Sequence, residues 1–310
     1  MTDSNGRPAR PETIRIAVDL LGGDHAPAVV VDGALLASGA DPVLQLHLVG
    51  PPEVAAAVLA ACPPADRRRF TVEPVAAGVA MSDAPSRAVR HDTTVRAAVA
   101  AVAEGRADAL VSAGMSGAVV TAAALGLGRT RGVRKPALAA ILPARSGPVV
   151  LLDVGASPEV STALLLQHAT LGLGYARRAL GIPTPRLGLL SIGAEPGKGD
   201  RVRRAADEAL RSAEPGYVGM VEGGEVPLGG TADVVLTDGF TGNVLLKGIE
   251  GAFALAGGVA PHQRVPRAAA LLGVGGTVVL CHGAAGPADL ASGIALAARL
   301  HQSALVGVSR

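Results

Sequence analysis

Short β-rich runs, most of them closed by glycine or proline, alternate along the chain with alanine-rich stretches of helical length. The runs are 14–21, 46–49, 109–112, 149–153, 187–192, 234–237 and 277–280. Apolar runs of this length separated by helices predict strands buried on both faces. The expected fold class is therefore α/β, with three layers, α/β/α, around a mainly parallel, doubly wound sheet. In such sheets ligands bind beyond the carboxyl ends of the strands, which is where the glycines fall here. No fixed-period repeat and no long linker divides the chain. Residues 14–310 are thus expected to form a single domain, with 1–13 a disordered tail.

Composition narrows the function. With 49% hydrophobic and 17% charged residues the chain can bury a large core. Its 28 basic and 26 acidic side chains leave a net charge of +2, too balanced for a protein that neutralises phosphate backbones. Aromatic residues are only 2% and tryptophan is absent, so platforms for stacking nucleic-acid bases are scarce. No apolar stretch reaches the ~18 residues of a membrane span, and Met1 to Glu12 is polar, so a cytoplasmic location is expected. Cys62 and Cys281 make neither a disulfide framework nor a zinc site, and no helix carries paired metal ligands.

Two glycine loops stand out. Ser112-Ala113-Gly114-Met115-Ser116-Gly117 runs from a strand into an alanine-rich helix. Backbone N–H groups at such a helix start make an anion site, although the same small residues also permit close helix–strand packing. The design returns in Thr237-Asp238-Gly239-Phe240-Thr241-Gly242-Asn243, where Thr241 is expected to cap the helix that carries Lys247. Two such loops facing one cleft would suit phosphate. No Gly-x-Gly-x-x-Gly follows a strand, which argues against a nicotinamide cofactor.

Histidines and carboxylates lie at other strand ends. In Gly22-Gly23-Asp24-His25 the acid and imidazole either bracket a proton-transfer site or form a plain turn in which Asp24 caps the next helix. His282 follows Cys281, but neighbours in a strand point to opposite faces, so a buried inert thiol is the better reading of Cys281. Asp153, in Asp153-Val154-Gly155-Ala156-Ser157, either binds substrate or caps the following segment. Basic clusters at 67–69, at Arg129, Arg131, Arg134 and Lys135, and at Arg201, Arg203 and Arg204 either dock an acidic protein or are solvated faces.

In order, Ile16-Ala17-Val18-Asp19 with Gly22-Gly23-Asp24-His25-Ala26-Pro27, Ser112-Ala113-Gly114, Asp153-Val154-Gly155-Ala156, Gly188-Leu189-Leu190 with Ile192-Gly193 and Lys198-Gly199, Thr237 to Val244 with Lys247 and Glu250-Gly251, and His282-Gly283 resemble the phosphate acyltransferase PlsX family. The likeness runs from about Ile14 to the C-terminus. It implies a fold related to phosphotransacetylases and isocitrate-type dehydrogenases, normally as a homodimer. It also implies that inorganic phosphate attacks the thioester of a fatty acyl-acyl carrier protein, giving an acyl phosphate for phospholipid synthesis, with no cofactor or metal. On that resemblance Asp24, His25, Lys247 and His282 are the catalytic candidates. Gly22, Gly23, Ser112, Gly114, Ser116, Gly117, Asp153, Gly155, Asp238, Gly239, Thr241, Gly242 and Asn243 would hold phosphate and substrate. Arg129, Arg131, Arg134, Lys198 and Arg201 would meet the acidic carrier protein.

The chain departs from the family pattern at particular places. Met115-Ser116 stands where the family usually has Asn-Thr, Ser157 and Ser191 where it has Asn, and Ala284 where it has Ser. A Tyr-Gly-Gly-Ala motif is replaced near Ala268-Ala269-Ala270, and 251–276, the segment implied to pair subunits and touch a membrane surface, is shorter. The rival readings are an acyltransferase that takes coenzyme A thioesters and a non-catalytic relative that only binds a carrier protein. A dehydrogenase comes last.

Overall fold

The computed structural model describes residues 13–80, 82–195, 197–258 and 265–308. The expected tail therefore lies outside the described residues except for Thr13, and so does 259–264 of the shortened segment. The elements run β1 (Ile14–Asp19), α1 (Ala28–Ala40), β2 (Leu44–Gly50), α2 (Pro52–Ala61), β3 (Phe70–Pro74), α3 (Arg87–Arg90), α4 (Thr94–Ala103), β4 (Ala109–Ser112) and α5 (Ser116–Gly126). Then come β5 (Ala137–Leu142), β6 (Val149–Leu152), α6 (Thr162–Ala179), β7 (Leu187–Ser191), α7 (Arg201–Ala213), β8 (Tyr217–Glu222) and α8 (Glu225–Leu228). The last are β9 (Val234–Leu236), α9 (Gly239–Leu255), β10 (Ala268–Leu272), β11 (Thr277–Cys281) and α10 (Pro287–Val308).

The strands form one sheet in the order β3-β2-β1-β4-β11-β10-β5-β6-β9-β7-β8. Pairing is parallel except around β10 and between β5 and β6, so the sheet is mainly parallel and its two flanks run in opposite directions. Alternate strand residues feed two apolar layers, as the two-residue period requires. Ala17, Leu110, Leu138, Val235 and Leu280 pack on one face beneath α4, α5 and α9. Val18, Val111 and Val279 pack on the other beneath α1, α2 and α10, and Leu152, Leu187 and Leu236 beneath α6 and α7. The α/β/α expectation holds.

Four strands escape the sequence reading: β3, β5, β8 and β10. Ala137–Leu142 and Ala268–Leu272 are alanine- and leucine-rich and have the propensity of helices. They are strands because they fill the middle of the sheet, where only small apolar side chains fit between helices on both sides.

The placement of helices creates the crevices. β1 leads to α1 on one face, its neighbour β4 leads to α5 on the other, and β11, beside β4, leads back to α10 on the first. Adjacent strands whose chains leave to opposite faces open a gap at their carboxyl ends, the topological switch point where ligands bind. The same happens between β9, followed by α9, and β7, followed by α7.

One buried residue gives a stability prediction. His168 in α6 is wholly buried, and neither ring nitrogen has a hydrogen-bond partner among the described residues. Burial lowers its pKa from 6.5 to about 4. The unfolded chain takes up the proton near pH 6.5 and the folded chain resists it until about 4, so this contribution is intact above the upper value and is lost as the pH falls between the two. The loss amounts to as much as about 3 kcal/mol. In His168→Gln the gap between melting temperatures at pH 7.5 and pH 4.5 is expected to narrow by several degrees.

Candidate active site

The first crevice is assembled on a buried carboxylate. Asp19, at the end of β1, is 3% exposed. Its Oδ2 accepts the Ser112 hydroxyl at 2.7 Å, and its Oδ1 accepts the Leu21 N–H at 3.2 Å. Ser112 Oγ in turn accepts the Gly114 N–H at 3.0 Å. One side chain thus ties the loop after β1 to the loop after β4. Burial raises the Asp19 pKa, and hydrogen bonds from Thr94, Ser112, Leu21 and Gly22 offset part of that rise.

Glycine is needed here for closeness. A Cβ on Gly22 would lie 2.8 Å from Asp19 Oδ2, from Ser112 Oγ and from the Gly114 nitrogen. Gly23, at φ +116°, lies against Ala113 and the Gly283 carbonyl. The Asp24 N–H donates to that carbonyl at 2.8 Å, which fastens the β1 loop to the loop after β11. Asp24 and His25 are exposed in the turn before α1, and α1 has no side-chain cap. Asp24 is therefore not the cap that the plain-turn reading assigned it.

Above Gly114, α5 begins at Ser116 with no side-chain cap and no acid in its first turn. The N–H groups of Ser116 and Gly117 and the positive end of the helix dipole are therefore not neutralised by a side-chain cap or a first-turn acid. The helix α9 carries Lys247 and, one turn on, Glu250, which reaches the loop after β11. Glu250 Oε2 lies 3.5 Å from Lys247 Nζ and 4.0 Å from His282 Nε2. His282 Nδ1 faces the Ala284 N–H at 3.0 Å and so accepts from it, which leaves the ring proton of the neutral imidazole on Nε2.

The second glycine loop is built differently. Asp238, not Thr241, caps α9: its Oδ1 accepts the Thr241 N–H and its Oδ2 the Thr241 hydroxyl, both at 2.8 Å. Arg203 also pairs with Asp238 while donating to the Leu190 carbonyl. Burial works to raise Asp238, but Thr241 and Arg203 outweigh it and hold the carboxyl below its ordinary range. The N-terminus of α9 is thereby closed by the chain's own carboxylate. The close-packing reading wins for its glycines: a Cβ on Gly242 would fall 1.9 Å from the Asp153 carbonyl, and one on Gly239 2.7 Å from that of Ser157.

Asp153 is no substrate ligand. It is wholly buried and accepts N–H groups from Leu138, Gly155, Ala156 and Ser157, shaping the turn that begins at Gly155, φ +143°. Burial raises its pKa and those four donors oppose the rise. Asn243 donates to the Val154 carbonyl at 3.0 Å. Glu250 stands eleven positions after Gly239 on α9, about 16 Å along the helix. The two glycine loops therefore do not meet at one phosphate, as the sequence suggested, but stand toward opposite ends of α9.

Of the basic candidates, Arg129, Arg131 and Arg134 are exposed beyond the C-terminal end of α5, about 16 Å from its anion-facing start. Lys198 and Arg201 are exposed before and at the start of α7, whose Arg203 pairs with Asp238. Cys281 is buried with its thiol pushed up to about 12 by burial, as an inert thiol should be. Sequence reasoning missed the roles of Asp19, Arg203 and Glu250. Asp19 had a signal in hindsight, a carboxylate closing the apolar run Ile16-Ala17-Val18; Glu250 and Arg203 act across elements far apart in sequence.

The fold is that of the phosphotransacetylases. A phosphotransacetylase from Streptococcus pyogenes superposes with a TM-score of 0.66 at 17% identity, with 94% of each chain covered. EutD phosphotransacetylase from Staphylococcus aureus gives 0.60 at 16%, again with 94% of each covered. A 4-hydroxythreonine-4-phosphate dehydrogenase from Klebsiella pneumoniae gives 0.57 at 15%, covering 94% of this chain and all of that one. In sequence, residues 14–263 match the family described as "Fatty acid synthesis protein". The phosphate acyltransferase of Desulfitobacterium hafniense (strain DSM 10664 / DCB-2) is 44% identical over 241 residues, 77% of this chain and 71% of that protein. That of Bacillus licheniformis is 41% identical over 242 residues, 77% and 72% respectively. The chain belongs to the phosphate acyltransferase family and is an acyltransferase that transfers acyl groups to phosphate.

Proposed function

We propose that the acyl donor is a fatty acyl-acyl carrier protein and that the crevice at β1, β4 and β11 is where its thioester meets inorganic phosphate. What supports this reading is the uncapped start of α5, the hydrogen bond from the Gly22–His25 loop to Gly283, and the pairing of Glu250 with both Lys247 and His282. Hydrogen phosphate is already a nucleophile, so the site's task is to hold it against the carbonyl and stabilise developing charge. A phosphate oxygen attacks the thioester carbon, the C–S bond breaks, and the phosphate proton ends on the carrier thiol. The α5 N–H groups and Lys247 hold the phosphate. His282, with its proton on Nε2, donates to the oxyanion or the leaving sulfur, while Asp24 and His25 manage the phosphate proton. The Asp153–Asn243 cluster is assigned to shaping the second crevice rather than to phosphate.

The acidic carrier docks on Lys198 and Arg201 or on the 129–135 surface, and the acyl phosphate feeds phospholipid synthesis. The enzyme works as a homodimer in the cytoplasm, with 14–310 as its single domain and no cofactor. No described helix is long and apolar enough to cross a membrane. The test is release of free thiol from acyl-acyl carrier protein and from acyl-coenzyme A, with and without phosphate. Phosphate-dependent release from the carrier protein alone is expected. Release from coenzyme A alone would replace the donor, and none from either would leave this chain a carrier-binding relative.

A further inference from the structure

Glu250 joins two groups that the proposed reaction uses, yet nothing in that reaction calls for an acid there. Its Oε2 is shared between Lys247 Nζ, 3.5 Å away on the same helix, and His282 Nε2, 4.0 Å away on the loop after β11. The first contact alone would be an ordinary i,i+3 surface pair worth little. The second crosses from α9 to the end of β11, and it falls on the ring nitrogen left facing outward because Nδ1 accepts the Ala284 N–H. At 4.0 Å the carboxylate attracts Nε2–H without capturing it in a hydrogen bond, so that proton stays available to a substrate atom.

We propose that Glu250 is a positioning residue, a carboxylate that biases His282 toward its protonated form while pairing with the Lys247 ammonium. This deepens the acyl-transfer reading and rests on it for the roles of His282 and Lys247. The other charged groups near this end of the sheet are Asp24 and His25, on the loop bonded to Gly283, and Asp289, which is turned to the Gly286 N–H and Arg267. Glu250 is the acid in ion-pair range of the imidazole among the described residues. Its negative charge favours the imidazolium, so its removal makes His282 easier to deprotonate.

The experiment is an NMR titration of the His282 ring in substrate-free protein, wild type against Glu250→Gln, with the signal assigned by its loss in His282→Ala. The midpoint is expected to fall by about half a pH unit or more in Glu250→Gln, and Glu250→Asp to restore part of the shift. The acidic limb of the pH profile for phosphate-dependent thiol release should move in the same direction. An unchanged His282 midpoint in a Glu250→Gln protein of wild-type melting temperature overturns the proposal. Because the titration needs no substrate, that failure is distinct from a failure of acyl transfer, which the thiol-release assay reads alone.

Discussion

Lys247→Ala is expected to lower kcat/KM for phosphate-dependent thiol release by about a hundredfold, the usual cost of removing one preorganised charge from a reacting oxyanion. The side chain is exposed on α9, so the fold should tolerate the change and the melting temperature should stay within about a degree. Lys247→Arg should recover only part of the activity, because a planar fork does not occupy the place of a compact ammonium. If the anion is bound in the ground state, the loss falls mainly in KM for phosphate; if the charge develops later, it falls in kcat. Wild-type activity in Lys247→Ala would remove α9 from the chemistry.

Asp19→Ala should damage both stability and activity, which separates it from Lys247→Ala. It strips the acceptor from the Ser112 hydroxyl and the Leu21 N–H in a buried place, a cost of roughly 1–3 kcal/mol for each group left unpaired. With the Gly114 N–H no longer held by a fixed Ser112, the start of α5 loses its aim, and activity is expected to drop at least tenfold beyond what instability explains. Asp19→Asn keeps the shape but sets an NH2 group against one of the two donors. Ser112 can turn to accept from it only by leaving its own proton without an acceptor, so this variant should fall between wild type and alanine. Wild-type melting and phosphate KM in Asp19→Ala would show that the two loops hold their places unaided.

The parts of this molecule that were legible in the sequence are those written locally. β1, β4, β7, β9 and β11 announce themselves as apolar runs ending at small residues, and the loops at Gly22 and Gly114 follow from them. Alanine-rich β5 and β10 were illegible because their strand state is imposed by neighbours, not by propensity. The same holds within the site. The order of motifs pointed to His282 and Lys247, but only the register of β11 beside β4 and the length of α9 show that Glu250 lies between them. Asp153, Asp238 and Thr241 misled because a carboxylate or hydroxyl beside glycines looks alike in sequence whether it meets a ligand or its own backbone.

The position of β10 and β11 has a consequence for synthesis. These late strands are wedged between β4 and β5, so a nascent chain that ends before Ala268 has two raw sheet edges in what will become the interior. The early flank can pair β1 to β4, and the middle flank β5 to β9, but the two cannot be sealed together until residues 268–281 leave the ribosome. His282 arrives with that last hairpin. A copy that lacks these residues is thus without His282 and keeps two open sheet edges, which makes it prone to sticking to others.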